Sequence, residues 1–281
     1  MTILPTFEIL GFPVSLPILI ISLLAVVIIP IVLGRLLASG SKSGPSSVIL
    51  FAGPRDAGKT SLLLYLQEKT LIPTQTSTAP ATVKLFPLAL SPADSQDEGS
   101  STKPFHIKDT PGHPKLRSTA IDTIVQPTES CIGVIYVLDS AVLSTQARIT
   151  DTAEYLYELL LAIQKRYAIL SESATSTEPI PLLIACNKND LFTALPSTKI
   201  GNLLQTELSR MKETKRKGLL NAGAGENDDE DLDRVLGDET SDKITWEGLK
   251  EFGVEVSVQS GSVKSGTVDG WTSWMSACLD A

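Results

Sequence analysis

The amino-acid sequence predicts an α/β domain with a mostly parallel β-sheet and helices on both faces, preceded by one N-terminal transmembrane helix. Continuous apolar runs, at residues 131–140 and 180–190, are typical of strands buried on both faces of a parallel sheet. Between them, residues 149–170 carry the apolar stripe of a helix that covers such a sheet. A glycine-rich loop follows a short apolar run at residues 47–53 and precedes a helical pattern at residues 60–69, so strands and helices alternate along the chain.

The first element is an apolar segment near the N-terminus. Residues 9–34 form 26 consecutive positions without a charged side chain. As a helix this segment would be roughly 39 Å long, which is enough to cross a hydrocarbon core of about 30 Å. A cleaved signal peptide is the alternative, but it requires a basic start and a shorter apolar run, whereas Glu8 precedes this run. We therefore expect a retained transmembrane anchor over residues 13–37.

The charges that flank this anchor predict its orientation. Arg35 and Lys42 follow the apolar run, so the positive-inside rule places the C-terminal part of the chain in the cytosol and residues 1–12 in a short lumenal tail. Residues 38–46 are rich in Gly and Ser, which is typical of a flexible tether. The cytosolic domain then comprises residues 47–281.

Composition argues against several functions. The formal net charge of −8 disfavours direct nucleic-acid binding through a basic surface. The three cysteines lie far apart without a C-x-x-C pair, and two histidines are too few for a histidine-rich zinc site or a His-based triad. Residues 212–242 change from basic to strongly acidic. Blocks of like charge are usually solvated loops, so we expect a disordered insertion there, with a partner-binding site as the alternative.

The loop after the first predicted strand of the domain, Gly53-Pro-Arg-Asp-Ala-Gly-Lys-Thr, matches the pattern G-x-x-x-x-G-K-[ST]. Its glycines allow the backbone to surround a phosphate group, and N–H groups at the start of the following helix point toward it. Lys59 supplies a positive charge to the β- and γ-phosphate oxygens, and the Thr60 hydroxyl is a ligand for Mg²⁺. A plain glycine-rich turn is the alternative, but it gives Lys59 no role. The residues predicted to contact the phosphates here are Gly53, Asp56, Ala57, Gly58, Lys59, Thr60 and Ser61.

A second motif, IKDTPGH, follows at residues 107–113. In a phosphate-binding fold, an Asp at a strand end followed by Thr-Pro-Gly suits the shell of a Mg²⁺ ion. We expect Asp109 to act on the metal through a water molecule, and the backbone N–H of Gly112 to donate to a γ-phosphate oxygen. The sequence D-T-P-G also forms ordinary turns, so its position in the order of motifs supports the assignment.

A third motif, Asn187-Lys-Asn-Asp, ends a buried strand and predicts the base. A carboxylate accepts two hydrogen bonds at once and therefore matches the N1–H and the exocyclic amino group of guanine, whereas adenine N1 presents a lone pair. Asp190 is thus the predicted guanine reader, Asn187 connects the neighbouring loops, and the aliphatic stem of Lys188 covers the ring. Asn and Asp after a strand are also common turn formers.

A last element is needed to bring a backbone N–H to guanine O6. The predicted final strand is followed by Ser260-Gly261-Ser262, small residues that allow close approach of the backbone. We expect Ser260 and Gly261 to contact the base, with a flexible Ser/Gly hairpin as the alternative.

Together these motifs resemble a Ras-like GTPase domain, which binds GTP or GDP with Mg²⁺. With the N-terminal anchor and the sequence TQTS at residues 74–77, the chain resembles the family of signal recognition particle receptor beta subunits. Other Ras-like proteins, Arf relatives included, normally lack a spanning helix. The resemblance implies a single-pass subunit of the endoplasmic reticulum membrane. In its GTP state such a subunit binds the receptor alpha subunit as a heterodimer for co-translational protein targeting.

The resemblance also implies further site residues. A first-switch hydroxyl completes the Mg²⁺ shell, and Thr76 is our choice, with Ser77 and Thr78 as alternatives. His113 stands where related proteins place the residue that positions the attacking water, although it also fits a polar loop residue. Arg55 occupies a loop position beside the γ-phosphate that is small in Ras, where its bulk would obstruct an arginine supplied by an activator. We therefore expect slow intrinsic hydrolysis and a poor response to such an activator. The usual Ser-Ala-Lys after the last strand is replaced here by QSGS, which lacks a nearby lysine.

Three other functions are compatible with these motifs. One is an Arf-like membrane GTPase in vesicle trafficking, and another is an ATPase or small-molecule kinase that uses the same phosphate-binding loop. The third is a scaffold whose bound nucleotide is structural and is never hydrolysed. Asp190 separates the guanine-binding functions from the adenine-binding one.

Overall fold

The chain divides into two compact units, Met1–Gly44 and Pro45–Ala281. In the first unit, β1 (Thr6–Ile9) and β2 (Phe12–Ser15) form an antiparallel pair. The computed structural model describes residues 6–9, 12–15, 24, 26, 28–29, 47–87, 104–126, 130–173, 178–221, 235–238, 241 and 243–280.

The predicted anchor at residues 13–37 lies mostly outside the described residues. Prediction and structure differ at residues 13–15, which belong to β2, because Phe12 and Val14 favour an extended strand and Pro13 disfavours a helix. Among the residues that are described, no helix has the length and apolar character needed to cross a membrane. The anchor, the lumenal tail and the tether therefore stay predictions. Four further described residues are helical and exposed: Leu24, Val26, Ile28 and Ile29.

The second unit consists of a six-stranded sheet and the helices that cover it. The strands are β3 (Ser47–Ala52), β4 (Ala81–Leu85), β5 (Phe105–Asp109), β6 (Ser130–Asp139), β7 (Ile180–Asn187) and β8 (Val254–Ser260). The α-helices are α1 (Lys59–Glu68), α2 (Ser118–Val125), α3 (Gln146–Ser173), α4 (Ser197–Asn221), α5 (Trp246–Lys250) and α6 (Asp269–Asp280). A 3₁₀ helix at Pro114–Leu116 precedes α2.

The strand order is β4-β5-β3-β6-β7-β8, and every neighbouring pair is parallel except β4 with β5. This order confirms the predicted mostly parallel sheet. Successive side chains of β3 point to opposite faces: Leu50 belongs to the apolar cluster of α2, α3 and α4, whereas Ile49 and Phe51 belong to that of α1 and α6. Helices thus cover both faces. The carboxyl ends of the parallel strands meet at one edge, where α/β proteins bind ligands.

The structure corrects the prediction that residues 212–242 are disordered. Helix α4 continues to Asn221, so the first ten of these residues are helical. Lys212 is buried, and its ammonium group donates to the carbonyl oxygen of Asp238. The run of basic residues led to the prediction of a solvated loop. However, the long aliphatic stem of a lysine can be buried when its charged end reaches an acceptor.

A second described part of the same region, residues 235–238, packs against α3. Leu236 is fully buried, and its backbone N–H donates to the Tyr157 hydroxyl at 3.1 Å. The backbone N–H of Gly237 donates to the side-chain oxygen of Gln164 at 2.8 Å. These four residues are therefore part of the folded domain, while the acidic stretch before them lies outside the described residues.

Leu236→Ala is expected to destabilise the domain by about 2–5 kcal/mol, because loss of a buried leucine side chain removes apolar burial and leaves a cavity. Chemical denaturation of the variant beside the wild-type chain measures this difference in the free energy of unfolding. Leu170→Ala is the matched control, since Leu170 is 36% exposed and its truncation is expected to cost much less. Equally small losses in both variants would contradict the packing of residues 235–238.

Candidate functional site

The phosphate-binding loop between β3 and α1 is shaped by its glycines. Gly53 has a φ of 138°, and a Cβ at this position would lie 2.0 Å from the carbonyl oxygen of Val137. Gly58 has a φ of 97° and is the N-cap of α1. Both positions therefore require glycine. Asp56 also has a positive φ, of 59°, so left-handed conformations recur in this loop and turn the chain tightly into the helix.

Lys59, the first residue of α1, is buried within this loop. Its Nζ donates to the carbonyl oxygens of Gly53 and Pro54, each at 2.8 Å. Burial lowers the pKa of Lys59 to about 8, although the nearby carboxylates of Asp109 and Asp56 raise it. The ammonium group is thus held where a bound anion would compensate for its lost hydration.

Thr60 and Asp109 bring the predicted metal-binding groups together. Thr60 Oγ1 donates to Asp109 Oδ2 at 2.6 Å. Burial raises the pKa of Asp109, while the hydrogen bond from Thr60 and the charge of Lys59 lower it. Asp109 Oδ1 is buried without a hydrogen-bond partner among the described residues. A buried carboxylate oxygen that lacks a donor, next to a hydroxyl, fits a hydrated divalent cation, so these residues suit Mg²⁺.

A cavity of about 530 Å³ lies in front of the loop. Gly112 lines this cavity and lies close to the phosphate-binding loop, since a Cβ on Gly112 would be 2.6 Å from Lys59 Nζ. The predicted first-switch residue Thr76 lines this cavity, and so does Ser77, whose hydroxyl donates to the carbonyl oxygen of Ala79 at 2.7 Å. The residues that line the cavity are Arg55, Asp56, Gly58, Lys59, Thr60, Ser61, Thr74, Gln75, Thr76, Ser77, Gly112 and Lys188.

A second cavity, of about 290 Å³, adjoins the first, because Gly58, Ser61 and Lys188 line both. Asp190 and Ser262 line this second cavity. The two cavities therefore form one cleft, with the phosphate-binding loop at one end and the predicted base reader at the other.

Asn187 joins the walls of this cleft. Its Nδ2 donates to the carbonyl oxygen of Ala57 at 2.7 Å, and its Oδ1 accepts from the backbone N–H of Val263 at 3.1 Å. Its neighbour Lys188 pairs with Asp139 at 2.6 Å between Nζ and Oδ2, which fixes the lysine stem beside the cleft. The predicted connecting role of Asn187 is thus visible in its contacts with two separate loops.

The structure differs from the prediction in the loop after β8. Ser260 is the last residue of that strand, and the backbone N–H of Gly261 donates to the carbonyl oxygen of Cys186 at 3.0 Å. This bond extends the pairing of the sheet, so the Gly261 N–H is already used. Neither residue is among those that line the cleft.

Residues 262–264, Ser-Val-Lys, lie where Ser260 and Gly261 were predicted to lie, because all three line the end of the cleft that contains Asp190. Ser262 Oγ donates to Asp190 Oδ1 at 2.6 Å. It also accepts from the backbone N–H of Ser265 at 3.3 Å. In the sequence, this loop is marked by Ser262 with Lys264 two positions later, whereas the prediction assigned the loop to residues that begin two positions earlier. The lysine that the prediction described as missing is therefore present, as Lys264.

Two leucines at the base end were not predicted. Leu71 and Leu191 line it and are 52% and 41% exposed. Apolar side chains at the rim of a cleft suit the faces of a planar ring. An apolar residue within the polar stretch after α1 is the signal that would have identified Leu71.

His113 is not among the residues that line the cleft, although its neighbour Gly112 is. Its Nδ1 accepts from the backbone N–H of Lys115 at 3.2 Å and caps the 3₁₀ helix. In this arrangement the imidazole stabilises a turn, and its water-positioning role stays a prediction.

The chain is similar in sequence to one family of known proteins. A family model described as the signal recognition particle receptor beta subunit matches residues 45–252. The signal recognition particle receptor subunit beta of Saccharomyces cerevisiae is 32% identical over 267 residues, which cover 92% of this chain and 96% of the relative. That of Mus musculus is 30% identical over 175 residues, which cover 62% of this chain and 56% of the relative.

Two solved structures from Chaetomium thermophilum are similar to this chain. The signal recognition particle receptor SRb-GTP/SRX complex aligns with a TM-score of 0.65 and 29% identity, covering 82% of this chain and 99% of that one. The SRb-GDP-Mg structure aligns with a TM-score of 0.62 and 29% identity, covering 84% of this chain and 99% of that one.

Proposed function

Because this chain belongs to the family of signal recognition particle receptor beta subunits, which are Ras-like GTPases, we propose that it binds GTP and GDP with Mg²⁺ and holds the receptor alpha subunit at the endoplasmic reticulum membrane in its GTP form. The resulting heterodimer would serve co-translational protein targeting. Residues 13–37 would be its single anchor, with the domain at residues 47–281 in the cytosol.

The observation that carries this proposal is the position of Asp190. Its carboxylate is oriented by the Ser262 hydroxyl at 2.6 Å, in a cleft that continues to Lys59 at its other end. A fixed carboxylate suits the two adjacent donors of guanine, and a buried ammonium suits the β- and γ-phosphates. One ligand with both features, a guanine nucleotide, fits the two ends at once.

The phosphate end has the groups that a Mg²⁺-nucleotide requires. The Thr60 hydroxyl and Thr76 would hold the metal directly, and Asp109 would hold it through a water molecule. When bound, Mg²⁺ neutralises part of the phosphate charge. The backbone N–H of Gly112 would donate to the γ-phosphate, so loss of that phosphate would release the loop that contains Gly112.

The proposed partner surface lies in the loops beside the cleft. The Chaetomium thermophilum SRb is described with GTP in a complex with SRX. In this chain, Leu71 and Ile72 are 52% and 42% exposed at the start of the loop that leads to Thr76. Exposed apolar side chains in a nucleotide-dependent loop suit a partner that recognises one nucleotide state.

Nucleotide-dependent capture tests this function. The full-length chain in detergent micelles is loaded with GTPγS or GDP and mixed with the purified receptor alpha subunit, and the nucleotide content is checked by chromatography. We expect at least about tenfold more capture with GTPγS, which corresponds to a coupling of a little over 1 kcal/mol. Equal capture in the two states, or no binding of either nucleotide, would contradict the proposal.

We also expect slow intrinsic hydrolysis. Arg55 is exposed and lines the phosphate end. Its bulk would obstruct an arginine supplied by an activator, so we also expect a poor response to such an activator. Phosphate release by the isolated protein should proceed on the order of 10⁻³ s⁻¹ or slower, as in Ras-like proteins without an activator. A single-turnover assay measures this rate, and hydrolysis much faster than about 10⁻³ s⁻¹ would show the expectation to be wrong.

A further inference from the structure

Arg117 directly follows the second-switch segment, which we define as residues 110–116, and it precedes α2. We propose that Arg117 is a positioning residue that fastens this segment to α3, and that the fastening stabilises the GTP form of the cleft. The proposal rests on the proposed function, since it concerns how the same cleft distinguishes GTP from GDP.

The Arg117 side chain is buried against one face of α3. Its Nη2 donates to Asp151 Oδ1 at 2.7 Å, and its guanidinium carbon lies 4.8 Å from the centroid of the Tyr155 ring. Arg117 is 7% exposed. Asp151 and Tyr155 are four positions apart and therefore lie on the same face of the helix. One guanidinium group thus makes an ion pair with a half-exposed carboxylate and a cation–π contact with a buried ring, and the second of these is shielded from water.

Helix α3 is a rigid support for this contact. The Tyr155 ring is fully buried and packs edge-on against Tyr136, with 5.7 Å between the ring centroids. The Tyr136 hydroxyl donates to the carbonyl oxygen of Thr152 at 2.8 Å, which connects β6 to α3. Because a close-packed core yields little, a displacement between Arg117 and α3 must come from the second-switch segment rather than from the helix.

Tyr155 also reaches the phosphate-binding elements. Its hydroxyl lies beside Thr110 and the backbone of Gly53, and it is buried without a hydrogen bond of regular geometry among the described residues. Burial raises the pKa of Tyr155 to about 12, so the hydroxyl keeps its proton and can donate. The Tyr155 hydroxyl therefore lies between α3, the first residue of the second-switch segment and the phosphate-binding loop.

The fastened segment already lies against the phosphate-binding loop. A Cβ on Gly112 would be 2.6 Å from Lys59 Nζ and 2.6 Å from the backbone carbonyl carbon of Pro54. In the proposed function this segment contacts the nucleotide through the Gly112 N–H, which donates to the γ-phosphate. GDP has no γ-phosphate, so the fastening should favour GTP and leave GDP almost unaffected.

Nucleotide affinities of conservative variants test this inference in the full-length chain in detergent micelles. Dissociation constants for GTPγS and GDP are measured for the wild type, Arg117→Lys, Asp151→Asn and the double variant. We expect each single change to weaken GTPγS by about 5- to 30-fold, which is the size of a typical coupling between sites, and GDP by less than about twofold. The double variant should resemble the single ones, because both changes break one contact. Tyr155→Phe should also weaken GTPγS selectively.

Arg210→Lys is the matched control, because Arg210 pairs with Glu207 at 2.6 Å on α4 and does not line the cleft. It should leave both affinities unchanged. Equal weakening of GTPγS and GDP, or a loss of thermal stability without any change in their ratio, would overturn the inference. A wild-type chain that binds neither nucleotide would overturn the proposed function as well. If the variants do not fold, hydrogen exchange of residues 110–121 in the wild type decides, since equal protection with GTPγS and GDP would overturn the inference.

Discussion

Asp190→Asn is expected to change the base preference of the cleft from guanine to xanthine and to lower GTP affinity by about 100-fold or more. Hydrogen bonds to a charged group contribute about 1.5–3 kcal/mol each, and the carboxylate would accept two from guanine. In the variant, the amide oxygen can still accept from Ser262, which places the NH₂ group toward the base. Guanine presents donors there, whereas the xanthine carbonyl at C2 is an acceptor. Titration with GTP, XTP and ATP measures the preference.

Ser262→Ala is the internal comparison for this prediction. It removes the hydroxyl that orients Asp190 but keeps the carboxylate, so GTP should bind more weakly, by about tenfold, without any gain for XTP. Unchanged GTP preference in Asp190→Asn would contradict the base assignment. A wild-type chain that prefers ATP would support the ATPase or kinase alternative instead.

The buried part of the fold could be predicted from the sequence because parallel strands have a strong signature. β6 and β7 are continuous apolar runs, and β3 is followed at once by the glycine-rich loop that leads into α1. The edge strand β4 has a much weaker signal, since four of its five residues are not buried. Residues 235–238 could not be predicted either, because two buried apolar residues, Val235 and Leu236, follow a long acidic stretch whose charge dominates the local pattern.

The site shows the same division between local and tertiary information. Lys59 and Asp190 belong to short motifs whose chemistry can be read directly, and the structure places both along one cleft. The prediction for the loop after β8 was wrong because the pairing of Gly261 with Cys186 decides where the strand ends, and that pairing depends on a distant part of the chain. The contact between Arg117 and Asp151 is likewise invisible in sequence, because it joins residues 34 positions apart.

Lys59→Met is expected to lower GTP affinity by more than about 100-fold while leaving the nucleotide-free protein as stable as the wild type, or more stable. Methionine has a similar volume but no charge, so the bound β- and γ-phosphates lose a charged donor. The affinity for GDP should fall less than the affinity for GTP, because GDP has no γ-phosphate for Lys59 to contact. Calorimetric titration with both nucleotides, and thermal denaturation without them, measure the two effects.

The stability half of this prediction follows from the pKa of Lys59. Its value falls to about 8 in the folded protein because burial disfavours the charged form more than the nearby carboxylates favour it. Below that pH, folding must place a poorly hydrated ammonium group in the loop, which costs free energy that methionine does not. Lys217→Met is the control, since Lys217 is exposed and pairs with Glu213 on the surface of α4. A large loss of stability with unchanged GTP affinity would mean that Lys59 supports the loop rather than the phosphates, because its bonds to Gly53 and Pro54 would then be its main role.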